Sequence, residues 1–217
     1  YLPYFDDFFA KLYHTFMSLD AQMIEINPVG ILRDKTLIAL DAKINFDDHA
    51  LFRHPDVLRM QDDYEENART LRAKKFGFQY SEFNGNIGCI VNGDGLALEA
   101  MDLIKKQNGE LACFLNVKGG VDKDKIAEGI KIIMTNPRVE GILINVLGGF
   151  MRCKLIADGI LAATQEVGMN VPIILRLEGT NKEEAQDILA KSNLPIIFAK
   201  DMNDAIAVLL KQMEVND

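Results

Sequence analysis

The chain has 217 residues, 48% hydrophobic and 26% charged, with 16 Gly and 6 Pro, a composition that excludes collagen-like and low-complexity classes. Its 24 Lys and Arg against 32 Asp and Glu leave a formal charge of −8 with no basic cluster. Nucleic acid and anionic membrane surfaces are therefore not expected partners, because phosphate affinity requires concentrated cations. No apolar run reaches the roughly 18 residues of a transmembrane helix.

The first element is a helix. Phe5, Phe8, Phe9, Leu12 and Phe16 recur at helical spacing and define one apolar face. No basic segment followed by an apolar stretch opens the chain, and it begins at Tyr1 rather than Met, so it reads as a piece of a longer protein. A hairpin follows: strands at Gln22–Asn27 and Thr36–Asp41 around the polar turn Arg33-Asp34-Lys35. If it is symmetric about Asp34, residue i faces residue 68 − i, which sets Asn27 opposite Asp41 and Glu25 opposite Lys43. Side chains alternate along a strand, so Glu25, Asn27 and Asp41 form an oxygen-rich patch with a lysine beside it. Such a patch suits Mg²⁺, which takes one or two carboxylates plus phosphate oxygens, though a surface hairpin of alternating polar residues has the same pattern. Pro28 breaks the ladder and is a point where the register can shift.

An irregular stretch over 45–63 leads to a charged helix from about Asp63 to Lys75, read as a solvated connector. From Asn86 onward the rhythm is strand and helix in alternation. Strands are expected at Ile87–Val91, Leu111–Val117, Gly141–Val146, Val171–Leu175 and Pro195–Ala199, and helices at about 95–107, 123–135, 152–168, 182–192 and 202–213. The strands are apolar on both faces, which implies a parallel sheet covered by helices on both sides. A domain boundary is placed near residue 66.

Ligands of an open parallel sheet bind beyond the carboxyl ends of its strands. Four loops there carry glycine: Asn92-Gly93-Asp94-Gly95, Lys118-Gly119-Gly120, Gly148-Gly149-Phe150-Met151 and Glu178-Gly179-Thr180-Asn181. Glycine lets backbone approach a ligand, and a helix N-terminus offers free N–H groups and positive potential to an anion. Gly148-Gly149, placed just before the 152–168 helix, fits an anion site, and Arg152 in the first turn is unfavourable there unless an anion accompanies it. Tight βα turns use glycine for geometry alone, so the pattern indicates an anionic ligand without naming it. GxGxxG and GxxxxGK[ST] are absent. His14, His49 and His54 lack paired ligands at helical spacing and are not expected to be catalytic. The odd count of Cys89, Cys113 and Cys153, widely spaced, argues against a disulfide framework or zinc knuckle; buried thiols in a reducing compartment are expected.

Several segments together resemble the β subunit of succinyl-CoA synthetase (succinate–CoA ligase). They are Met23-Ile24-Glu25-Ile26-Asn27-Pro28, Leu40-Asp41-Ala42-Lys43, Ala50-Leu51-Phe52-Arg53-His54-Pro55-Asp56, Asn84 through Gly93, Gly148-Gly149-Phe150-Met151-Arg152-Cys153, Leu155 through Ile160, and Arg176-Leu177-Glu178-Gly179. The resemblance implies an α/β fold: a flavodoxin-like parallel sheet with helices on both faces over 67–217, preceded over 1–66 by the end of an ATP-grasp region and a linker. It implies an α-subunit partner that binds CoA and carries a phosphohistidine, a dicarboxylate substrate, Mg²⁺, and ATP or GTP in the complete subunit. By motif position, Asn27 and Asp41 would hold Mg²⁺ and Glu25 would assist the phosphohistidine at the nucleotide site. Asn92 and the backbone of Gly149, Phe150 and Met151 would hold the substrate carboxylate, and Gly148-Gly149 would start the helix facing the phosphohistidine at the CoA site. The implied compartment is the bacterial cytoplasm or the mitochondrial matrix. Lys118, Asn116, Asp94, Phe150-Met151 and Lys154 depart from the family pattern around the substrate loops. They leave open a ligase for malate or another dicarboxylate, or a non-catalytic assembly or regulatory relative.

Overall fold

The computed structural model describes residues 2–60, 66–118, 122–168 and 170–215, with only the backbone course given at 2–4 and 149–151. The chain forms two compact units, residues 1–63 and 64–217.

The first unit opens with α1 (Leu2–Ser18), followed by β1 (Ala21–Ile26), β2 (Val29–Ile31), β3 (Leu37–Ala39) and β4 (Ala42–Phe46). Phe5, Phe8, Leu12 and Phe16 are half-buried, but Phe9 is exposed and stacks on Phe5 at the margin of the stripe rather than belonging to it. Beyond an irregularity at Ala21–Met23, where the register shifts by one, the hairpin keeps one register up to its turn: Glu25 faces Lys43, Ile26 faces Ala42, Val29 faces Ala39 and Ile31 faces Leu37. Each pair sums to 68, as symmetry about Asp34 requires. The ladder is not continuous, however. It divides into β1–β4 and β2–β3 at Pro28, which has no N–H to donate and whose peptide bond with Asn27 is cis. The register survives this break because the Pro28 carbonyl still accepts from the Leu40 N–H at 3.1 Å.

After β4 come a single 3₁₀ turn (Leu51–Arg53) and a short helix, α2 (Pro55–Leu58). Asp20 ties this segment to the end of α1. Its carboxylate accepts from Arg53 Nε (2.7 Å) and Nη2 (2.5 Å), and lies 2.6 Å from His54 Nε2. Arg53 first and His54 second hold the Asp20 carboxyl well below the ordinary range, at about 2. A carboxylate with a lowered folded-state pKa stabilises the fold above its unfolded value, and the contribution disappears as pH falls through the folded one. The Asp20 contacts should therefore persist at pH 5 and fail between about pH 4 and pH 2. A carbon-13 titration of the Asp20 carboxyl with its midpoint near 4 would contradict this.

The second unit begins with α3 (Ala68–Lys75), capped by the Asn67 side chain accepting from Arg69 N–H. Its charges do not simply face solvent, as expected. Arg69 pairs with Glu82, Arg72 with Glu128 and Lys74 with Glu66, while Ala73 is fully buried, so the helix is bound to the unit rather than a free connector. The remaining elements are β5 (Gln79–Glu82), β6 (Ile87–Val91), α4 (Asp94–Lys106), β7 (Leu111–Asn116), α5 (Lys123–Met134), β8 (Gly141–Arg152), α6 (Cys153–Val167), β9 (Ile173–Thr180), α7 (Lys182–Ala190), β10 (Ile196–Phe198) and α8 (Met202–Glu214).

The six strands lie in the order β10-β9-β8-β6-β7-β5. Five are parallel, and β5 adds an antiparallel edge on β7, so the sheet is mixed rather than wholly parallel. Gln79-Tyr80-Ser81-Glu82 is too polar to read as a strand, and among the described residues no strand pairs with its outer edge, which is where polar residues are tolerated. Counted in chain order, the parallel strands run 2-1-3-4-5, the flavodoxin-like order. Ile90, Leu115, Ile144 and Leu175 pack toward α5 and α6; Cys89, Phe114, Leu143 and Ile174 pack into the opposite core with α4 and α8. The three cysteines are free and buried, and burial pushes the Cys113 thiol up to about 11 and raises Cys89 and Cys153 as well. Among the described residues no helix is long and apolar enough to cross a membrane.

Close approach of α6 to α5 depends on Gly159. A Cβ there would lie 2.7 Å from both Ile126 Cβ and the Lys123 carbonyl oxygen. Gly159→Ala should destabilise the second unit by about 1–3 kcal/mol despite alanine's better helix propensity, because a backbone carbonyl cannot move aside cheaply. Urea denaturation measures this, and a neutral or stabilising result would show that the two helices can separate at that point.

Candidate functional site

The parallel strand order turns at β6: the next strand, β7, lies on one side of it and β8 on the other. A crevice opens beyond the carboxyl ends of the strands at such a reversal. β6 ends at Val91, whose row continues through Asn145 of β8. Asn92 comes next, and both ends of its amide are engaged by Leu147. Leu147 N–H donates to Asn92 Oδ1 at 2.9 Å, and Asn92 Nδ2 donates to the Leu147 carbonyl at 2.6 Å. A side chain thereby adds one more rung between strands whose backbones have parted. That bond uses one of the two Nδ2 hydrogens.

The Gly148 turn differs in place from its expected position. The β8 run continues through 148–152 and pairs again with β9 at Arg152 and Thr180 before α6 starts at Cys153. Gly148-Gly149 is thus four to five residues before the helix, and the free N–H groups of the first turn belong to Cys153, Lys154 and Leu155. Gly148 has φ of +148° with nothing within 4 Å of a would-be Cβ, so the backbone angle, not crowding, requires glycine. Arg152 is the exposed N-cap residue and contributes no side-chain cap. Lys154 in the first turn is neutralised by Glu184 of α7 at 2.9 Å, which holds Glu184 below and Lys154 above their ordinary ranges.

Three of the unusual loop residues form one hydrogen-bonded set. Asn116, almost fully buried at the end of β7, donates from Nδ2 to Asp94 Oδ1 at 2.7 Å. Its Oδ1 accepts from Lys118 N–H at 3.0 Å, closing a turn in which Lys118 takes a left-handed φ of +53°.

Of the residues singled out by sequence, Asn92 lies at the β6–β8 reversal of the second unit, bonded to Leu147, and Gly148, Gly149, Phe150 and Met151 follow Leu147 along the β8 run. Glu25, Asn27 and Asp41 fall in the first unit, on the exposed face of the hairpin, with Asn27 and Asp41 at facing positions where the ladder is interrupted. One Asp41 oxygen accepts from Ala42 N–H at 2.9 Å. Among the described residues no three His, Cys, Asp or Glu side chains gather to hold a metal ion. His54 is engaged with Asp20. Asn145 and Arg176 were not anticipated. They stand side by side in β8 and β9, and Arg176 Nη1 donates to Asn145 Oδ1 at 3.2 Å. The available signal was one polar residue inside each of the apolar runs Ile144-Asn145-Val146 and Leu175-Arg176-Leu177.

The strand order and the glycine-bearing loops at the carboxyl edge together define an α/β protein of flavodoxin-like order. The CoA-ligase family model matches residues 90–210, and the chain belongs to that family. It is 48% identical over 204 residues to the succinate–CoA ligase [ADP-forming] subunit β of Paracoccus denitrificans, covering 94% of this chain and 51% of the relative. The corresponding subunit of Paramagnetospirillum magneticum is 47% identical over 207 residues, covering 95% and 52%. The chain therefore spans about half the length of these relatives. Among solved structures, ATP citrate lyase from Methanothrix soehngenii shares the fold with a TM-score of 0.82 at 17% identity, over 96% of this chain and 59% of that one.

Removing the Asn92 amide leaves the Leu147 N–H and carbonyl without their partner. Asn92→Ala should cost about 1–3 kcal/mol in global stability. Hydrogen exchange at the Leu147 amide should accelerate more than at Leu143, deep in the same strand. Equal protection at Leu147 in both proteins would mean that the rung is dispensable.

Proposed function

We propose that this chain is the carboxyl-terminal part of the β subunit of a nucleotide-dependent dicarboxylate–CoA ligase acting on succinate. The reading rests on its 46–48% identity to succinate–CoA ligase [ADP-forming] β subunits over more than nine-tenths of the chain. Residues 67–217 would be the CoA-ligase domain and residues 1–66 the end of an ATP-grasp region. The partner would be an α subunit carrying the CoA site and the reacting histidine, in the bacterial cytoplasm or the mitochondrial matrix.

In the proposed sequence, a nucleoside triphosphate first phosphorylates the partner's histidine. The phosphoryl group then passes to a carboxylate oxygen of succinate: the P–N bond breaks, a P–O bond forms and an acyl phosphate results. The CoA sulfur attacks the acyl carbon, the C–O bond to phosphate breaks, and succinyl-CoA and phosphate are released. This chain contributes positioning and electrostatics. The α6 N-terminus directs N–H groups and about half a positive charge at the transferring phosphoryl group. The backbone of Gly149, Phe150 and Met151 and the spare Asn92 N–H hold the carboxylate. At the nucleotide site Glu25 would orient the histidine. Asn27 and Asp41 offer one amide oxygen and one carboxylate, a donor set that suits Mg²⁺ when nucleotide phosphates complete the shell and is poor without them. When bound, the ion would neutralise phosphate charge.

This chain alone should form no succinyl-CoA, whereas the complete β subunit with its α subunit should form it from succinate, CoA and nucleotide. Asn92→Asp in the complete enzyme should raise the KM for succinate by about 10- to 100-fold and leave histidine phosphorylation nearly unchanged, because a carboxylate replaces a donor beside an anionic substrate. Turnover without the α subunit, or equal loss in both half-reactions, would contradict the assignment.

A further inference from the structure

Asn145 is 0% exposed, and its position in the sheet settles what surrounds it. Val91, Asn145 and Arg176 are register partners across β6, β8 and β9. In-register neighbours share a sheet face, and Val91 packs with α4 and α8, so Asn145 and Arg176 lie on that face at its carboxyl edge. Arginine has only donors, so Asn145 must present Oδ1 to it, as the 3.2 Å contact records. Oδ1 is the pair's only accepting side-chain atom. Asn145 Nδ2 and Arg176 Nε are both buried without a hydrogen-bond partner. Arg176 makes no ion pair among the described residues, and Glu178, two residues along β9, is paired with Lys182 at 2.9 Å.

A guanidinium beside a buried amide, with one buried donor of each unpaired, is an arrangement that a protein rarely keeps without a counterpart. With Nη1 committed to Asn145, the Nε–Nη2 edge remains, which is the side-on fork that receives two oxygens of one anion. We infer that Asn145 and Arg176 form an oxyanion subsite at the carboxyl edge of the sheet, on the α4/α8 face, taking a carboxylate or a phosphate group through Asn145 Nδ2 and the Arg176 Nε–Nη2 fork. Leu147, whose backbone takes the Asn92 rung, is two residues beyond Asn145 on β8, so the subsite adjoins that rung. An anion there lies next to the Gly148 turn, where it can hold the non-reacting end of a dicarboxylate or a free phosphate. The carboxylate assignment rests on the ligase reading; the oxyanion chemistry does not.

The test is a titration of this chain with sodium phosphate and, separately, with succinate, at ionic strength held constant with chloride. It is followed by the nitrogen-15 correlation signals of the Arg176 Nε–H and the Asn145 side-chain amide. Both signals should shift together and saturate with at least one anion, and the tighter of the two identifies the source. Arg176→Met and Asn145→Leu should each weaken that anion on the order of tenfold or more. Arg176→Lys, which keeps the charge without the fork, should recover only part. Signals that stay still in both titrations, that shift equally with chloride, or variants that bind as tightly as the parent would overturn the subsite. The parent titration decides the question even if Arg176→Met fails to fold. No nucleotide, CoA or α subunit is present, so failure here leaves the ligase assay undecided, and failure of that assay leaves this result standing.

Discussion

Two strands part at the point where the order of the sheet reverses, and the Asn92 amide holds their ends together. Backbone pairing between β6 and β8 runs only to Val91 and Asn145. Beyond it each chain must turn toward its own helix, and backbone groups that separate would otherwise go unpaired. An amide side chain carries both a donor and an acceptor, so it can stand in for a peptide unit with one more bond of reach. The Gly148 turn is thereby anchored at Leu147, and the loop that would meet the substrate starts from a defined position. Serine or aspartate at 92 could not make both bonds in the same way.

The loop residues that depart from the family pattern are mutually consistent. Asn116 donates to Asp94, which stands in the first turn of α4. A helix N-terminus favours its negative charge. Lys118 carries a cost: a left-handed φ at a residue with a Cβ costs on the order of 1 kcal/mol, offset in part by its N–H bond to Asn116 Oδ1.

Much of this was legible in the sequence because doubly buried strands have no choice of residue. Ile87–Val91 matches its expected limits, and α5 and α6 fall within a residue of theirs. The hairpin register was also legible, since a polar turn at Asp34 fixes which residues face each other. What escaped depends on tertiary partners. β5 is a strand only because β7 offers it an edge. The charged face of α3 looked solvated because Glu82 and Glu128, which receive Arg69 and Arg72, are 13 and 56 residues distant. β8 extends past Val146 because β9 pairs with it again at Arg152, a contact no local pattern announces. At the site, Asn92 and the glycines were conspicuous by position, whereas Asn145 and Arg176 matter through the partners they lack, which only burial reveals.

The three buried thiols have a practical consequence. A cysteine reacts as the thiolate, and burial both shields these sulfurs and suppresses ionisation. While the second unit is folded, alkylating agents have almost no target. Cys89 sits on β6, Cys113 on β7 and Cys153 at the start of α6, so each becomes labelled only when its own layer opens. The rates at which the three acquire label therefore form a set of clocks distributed through one domain. If they run together, the unit opens as a whole; if Cys153 runs ahead, the helix that faces the crevice loosens before the sheet beneath it.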